Sequence, residues 1–94
     1  MTERCLKISG RVQGVGFRFW AVRLAYSIGN ISGYACNLAD GDVLILMSGT
    51  EEKLNEMQAH LYRGPLFARV DKVENADELK QFLPPIKNGV FKRI

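Results

Sequence analysis

The sequence predicts an α+β sandwich with its elements in the order β-α-β-β-α-β, followed by a short last strand. Two periodicities and the punctuation between them carry that reading. Apolar residues alternate with polar ones near the start of the chain and again after residue 66, as a half-buried strand requires. Between these they recur at helical spacing twice, and glycine, proline and Asp-Gly signals separate the runs.

Arg4 to Val12 predicts the first strand, with Leu6, Ile8 and Val12 on one parity and Lys7 and Arg11 on the other. A glycine-rich loop follows. From Phe17 the period changes: Phe17, Trp20, Ala21, Leu24, Ala25 and Ile28 fall on one face of a helix, and Gly29-Asn30 is a stop signal. Ile31 to Leu38 predicts the second strand and Ala39-Asp40-Gly41-Asp42 a hairpin turn. Val43 to Met47 is the third strand, and its continuous apolar character suits a central position. Thr50 suits an N-cap, with Glu51 and Glu52 in the first turn of a second helix whose buried face is Leu54, Met57 and Leu61. Gly64-Pro65 ends it. Phe67 to Val73 reads as the fourth strand. Asn75 to Gln81 is polar, and Pro84-Pro85 forbids regular structure. Val90 to Ile94 suits a short last strand. This is the split βαβ, or ferredoxin-like, pattern: an antiparallel sheet of four to five strands with two helices on one face. Right-handed crossovers place the first and third strands together at the centre and the second beside the third.

The 94 residues suffice for one domain, 1–94, with one core. Hydrophobic residues make up 47% and charged residues 24%, so disorder is excluded. The net charge is +3. Lys and Arg are scattered along the chain rather than gathered in a run, which suits small anions better than nucleic acid. Cys5 and Cys36 lack metal-ligand spacing and His60 is the only histidine, so a zinc site is not expected. The two cysteines fall on non-adjacent strands, which argues against a disulfide. His60 lies off the buried helix stripe and reads as a surface residue, and Phe19, Trp20 and Tyr34 read as packing residues. The first residues lack a signal-peptide core and no apolar run approaches membrane-spanning length. A cytoplasmic protein is expected.

Gly10-Arg11-Val12-Gln13-Gly14-Val15-Gly16-Phe17-Arg18 joins the first strand to the first helix. Glycines let the backbone turn tightly with its N–H groups turned to a ligand, and the helix that follows adds the positive end of its dipole. Such a loop can also be a mere tight connection. It lacks the Gly-Lys-Ser/Thr ending of a nucleotide loop, and no parallel αβ series follows it. Arg18 lies at a helix start, where a cation is unfavourable unless an anion sits beside it. Asn37 stands in a β-rich stretch where Asn is depleted, and either closes the strand before its turn or holds a water or phosphoryl oxygen.

The segment from Gly10 to Arg18 resembles the signature of the acylphosphatase family. Gly33-Tyr34-Ala35-Cys36-Asn37-Leu38-Ala39-Asp40-Gly41-Asp42-Val43 resembles the family's second signature, and Gly64-Pro65 with Ala68-Arg69-Val70 a weaker third. The resemblance runs from about Cys5 to Val73 and carries a ferredoxin-like fold. It implies hydrolysis of the carboxyl–phosphate bond of small acyl phosphates, such as acetyl phosphate, carbamoyl phosphate or 1,3-bisphosphoglycerate, with no metal, no cofactor and no phospho-enzyme. A monomer with no nucleic-acid or membrane partner is expected. It assigns phosphate binding to Arg18 and the loop Gln13, Gly14, Val15, Gly16 and Phe17, and orientation of the attacking water to Asn37. Ile28-Gly29-Asn30-Ile31-Ser32-Gly33 carries one residue more than the family's usual link, so Asn37 keeps its place if the Gly29-Asn30 turn absorbs it.

Overall fold

A computed structural model describes residues 1–94. The elements are β1 (Thr2–Arg11), α1 (Phe17–Ile28), β2 (Ser32–Asn37), β3 (Val43–Gly49), α2 (Glu51–Leu61), β4 (Arg69–Asn75), a 3₁₀ helix (Asp77–Phe82) and β5 (Phe91–Arg93). They form one five-stranded sheet in the order β4-β1-β3-β2-β5. β1 pairs antiparallel with β3 and β4, and β3 antiparallel with β2, as the ferredoxin-like pattern requires. The fifth strand extends this frame in the other sense, pairing parallel with β2 at the edge.

Alternation along the strands builds two cores. Leu6, Ile8, Val43, Ile45 and Met47 face the helices, where Phe17, Ala21 and Ala25 of α1 and Leu54, Met57 and Leu61 of α2 meet them. Cys5, Tyr34, Leu44 and Leu46 point the other way and are buried too. This explains why β3 is apolar at both parities. The cover on that second face is the segment after β4. Ala76 is buried there, and Leu79, Leu83 and Ile86 pack on the strand residues. Hydrogen bonds fasten it: the Cys5 N–H donates to Asp77 Oδ1 at 2.8 Å, the Ala76 N–H to the Cys5 carbonyl at 2.8 Å, and the Tyr34 hydroxyl to the Pro84 carbonyl at 2.6 Å.

Local chemistry sets the element ends. Thr50 caps α2 by accepting the Lys53 N–H on Oγ1 at 3.2 Å. After α1 the chain turns through Gly29 at φ 84° and Asn30 at φ 59°. β4 begins at Arg69, later than the alternation from Phe67 predicts. Pro65 starts a turn closed by the Ala68 N–H on its carbonyl at 3.0 Å, and Phe67 is left 75% exposed. The polar stretch after Asn75, read as irregular, is a 3₁₀ helix. The two cysteines are free and lie on opposite sides of β3, Cys5 paired with Leu46 and Cys36 with Leu44.

Burial, with the Asp77 and Glu78 carboxylates nearby, pushes the Cys5 thiol up to about 11, and burial pushes the Tyr34 phenol up to about 12. Both groups ionise earlier in the unfolded chain, so the unfolded state gains relative stability as pH rises. Unfolding free energy should therefore be full below pH 9 and decline from there through pH 11. Urea titrations at pH 8 and 10.5 check this, and Cys5→Ala should show a shallower decline than wild type. An identical decline in the two proteins would contradict the assignment to Cys5.

Candidate active site

The site lies where β1 ends, α1 begins and β2 ends. Gly14 and Gly16 both take φ near +75–79°, a region that costs a side-chain-bearing residue but not glycine. Gly16 is the N-cap of α1 and no side chain caps the helix. From Gln13 through Phe19, no backbone N–H donates to any acceptor in the protein. Seven consecutive N–H groups, ending at the positive end of a helix dipole, thus have no backbone partner.

The loop would be floppy on its own, and the Gln13 side chain fixes it. Its Nε2 donates to the Leu38 carbonyl at 2.8 Å and to the Asp42 carbonyl at 2.9 Å. These two carbonyls flank the β2–β3 turn. Further ties hold the same turn from β1: Ser9 Oγ donates to Asp42 Oδ2 at 2.9 Å, and Lys7 Nζ lies 2.8 Å from Asp40 Oδ2 and 3.4 Å from Asp42 Oδ2. The end of β2 is therefore bound to the loop after β1.

Asn37 is the last residue of β2 and pairs with Val43. It shares parity with Ala35, which is buried in the helix-side core, so it emerges on the face where the loop lies. A hollow of about 150 Å³ results, lined by Val12, Gly14, Gly16, Phe17, Arg18, Phe19, Asn37 and Arg93. Arg18 is half-buried and donates one guanidinium N–H to the backbone oxygen of Ile94 at 2.8 Å, which aims the group while leaving its other donors free. No carboxylate pairs with it. Of the residues the sequence singles out, Gly14, Gly16, Phe17, Arg18 and Asn37 come together around the hollow. Gln13 and Val15 do not line it: Gln13 spends its carboxamide on the hairpin and Val15 packs against the core, although their backbone N–H groups are free.

Phe19 and Arg93 line the hollow although neither was singled out for it. Phe19 is 43% exposed and corrects its reading as a packing residue. The signal that finds Arg93 is the placement of acids, not of bases. No Asp or Glu occurs between Arg4 and Ala39 or from Leu79 to Ile94. The fold brings α1, β2 and β5, all from these two acid-free segments, to one corner. Four of the cations scattered in sequence, Arg18, Arg23, Lys92 and Arg93, meet there in space.

The family model for acylphosphatase matches residues 5–83. An acylphosphatase of Nitrobacter winogradskyi is 44% identical over 86 residues, spanning 92% of this chain and 86% of that protein. One of Legionella pneumophila (strain Corby) is 54% identical over 71 residues, 73% of this chain and 77% of that protein. Among solved structures, acylphosphatase from Bacillus subtilis superposes with a TM-score of 0.80 at 28% identity, covering 100% of this chain and 99% of that one. These matches define a hydrolase of ferredoxin-like architecture. The chain belongs to the acylphosphatase family, whose members hydrolyse acyl phosphates.

Replacing Gln13 by Met keeps its length and removes both donors. The Leu38 and Asp42 carbonyls each lose one of two donors and keep the N–H groups of Gly41 and Leu38, so urea unfolding should show a loss of about 1–2 kcal/mol, the worth of two hydrogen bonds. A change within experimental scatter would contradict the bridge.

Proposed function

We propose that residues 1–94 form a single acylphosphatase domain that splits small acyl phosphates without a metal by in-line attack of water on phosphorus. The observation that carries this reading is the meeting of Arg18, the free loop N–H groups and Asn37 around one phosphoryl-sized hollow. The non-bridging oxygens of the phosphoryl group lie on the N–H groups of Gln13 to Phe17 and on the Arg18 guanidinium. These donors neutralise charge that is already present and hold it as it shifts in the transition state.

Asn37 supplies the remaining function. Its carboxamide oxygen accepts a hydrogen bond from the attacking water and its NH₂ donates to a phosphoryl oxygen. A new O–P bond forms as the P–O bond to the acyl group breaks, and the carboxylate leaves with the bonding electrons. The water proton passes to a phosphoryl oxygen. No carboxylate or histidine lines the hollow, and none is required: the leaving group is a carboxylate of conjugate-acid pKa about 4–5, so it departs without a general acid. Pre-organisation of water and phosphoryl group supplies the rest of the barrier reduction.

Both sheet faces are covered within one chain, which supports a monomer. The two free cysteines suit a reducing compartment such as the cytoplasm. No helix is long and apolar enough to cross a membrane.

Benzoyl phosphate hydrolysis in EDTA tests the reading. Arg18→Ala should lower kcat/KM by about a thousandfold and weaken inhibition by inorganic phosphate, as removal of a transition-state donor does. Asn37→Ala should lower kcat by about a hundredfold while phosphate still inhibits. Full turnover in either variant, or activity abolished by EDTA, would overturn the scheme.

A further inference from the structure

A second groove, of about 420 Å³, adjoins the phosphoryl hollow between α1 and β5 and is lined by Phe19, Val22, Arg23, Phe91, Lys92 and Arg93. Phe19 and Arg93 line both cavities. A substrate with its phosphoryl group in the hollow therefore has this groove beside it for its acyl portion, and the other adjoining groove, lined by Gly16, Phe19, Trp20 and Arg23, shares Phe19 and Arg23 with it. The chemistry of the groove is specific. Its floor includes the exposed ring of Phe19. The guanidinium carbons of Arg23 and Arg93 stand 5.8 and 5.6 Å from the centroid of that ring. Stacking on an aromatic face orients a guanidinium without consuming its N–H donors.

Those donors have no partner in the protein. Every ion pair of the molecule lies elsewhere, on Arg4, Lys7, Arg69 and Lys72. Arg23, Lys92 and Arg93 make no side-chain hydrogen bond either, and α1, β2 and β5 contain no acidic residue. A pair of like charges held on one ring beside an already cationic hollow is unfavourable by itself. A hydrocarbon acyl group would use Phe19 and Val22 and leave that charge uncompensated.

We propose that this groove is the acyl subsite and that it selects acyl phosphates whose acyl portion bears a second anionic group, a carboxylate or a phosphate. Arg23 and Arg93 receive the second anion, and Phe19 packs against the carbon skeleton between the two charges. The inference rests on the phosphoryl assignment above and adds the class of substrate to it.

Rigid aromatic substrates give a direct test, because a para carboxylate cannot reach back to attack the acyl phosphate. The ratio of kcat/KM for 4-carboxybenzoyl phosphate to that for benzoyl phosphate is measured at low salt. Wild type should favour the carboxylated substrate by about tenfold, and the preference should shrink as salt is added. The ratio should fall to near one in the R23Q/R93Q double variant, each single variant should lie between, and Arg23→Lys should restore part of it. A wild-type ratio at or below one, or a preference unchanged in the double variant, would overturn the subsite while leaving acyl phosphate hydrolysis in place. Turnover of neither substrate by wild type would overturn the phosphoryl assignment itself, and the subsite with it.

Discussion

The bridge from Gln13 to the β2–β3 hairpin is the constraint on which the rest of the site depends. The loop after β1 makes no backbone hydrogen bonds through its own N–H groups, so its shape comes from what holds its ends. One end continues β1 and the other enters α1. The middle is held by one carboxamide that spans two carbonyls, those of Leu38 and Asp42. Because these carbonyls border the turn that follows Asn37, the same contact sets the loop's curvature and its distance from the strand carrying Asn37. A loop of free N–H groups and the Asn37 side chain, from the C-terminal ends of two different strands, come to border one hollow.

Charge placement is the second layer of organisation. Unpaired N–H groups and a guanidinium at a helix start are unfavourable by themselves, and no Asp or Glu side chain answers them. The fold accepts this in a corner assembled from acid-free segments, and puts its ion pairs on the outer faces of β1, β4 and α2. Salt bridges at the corner would quench the field an anion needs. Leaving the corner unpaired keeps its positive field intact, which is what the proposed phosphoryl site requires. Arg18 is aimed by the backbone oxygen of Ile94, which fixes its direction.

Much of this could be read from residues alone where local and tertiary preferences agree. The limits of α1 follow from Gly16 and Gly29 on either side of an uninterrupted helical stripe. The central place of β3 follows from its apolar run, because only a strand buried on both faces needs one. The reading was incomplete where a long-range contact decides the outcome. Phe67 continues an alternating pattern, yet the Pro65 turn takes precedence and β4 starts two residues later. Leu79, Leu83 and Ile86 follow no strand or helix period, so their burial on the second sheet face becomes visible only once that face is assembled. Phe19 sits on the helix beside true core residues, and its exposure depends on β5, which reaches it from the far end of the chain. Gln13 was noticed for its backbone, while its side chain carries the structural load through partners 25 and 29 residues away.

Titration of the ¹⁵N-labelled protein with inorganic phosphate, followed through its amide spectrum, tests the central claim most directly. The backbone signals of Gly14, Val15, Gly16 and Phe17 and the side-chain NH₂ of Asn37 should move together along one saturating curve, because one anion contacts all of them. Loop signals that stay still while shifts collect elsewhere, or an Asn37 side chain that does not respond, would contradict the account.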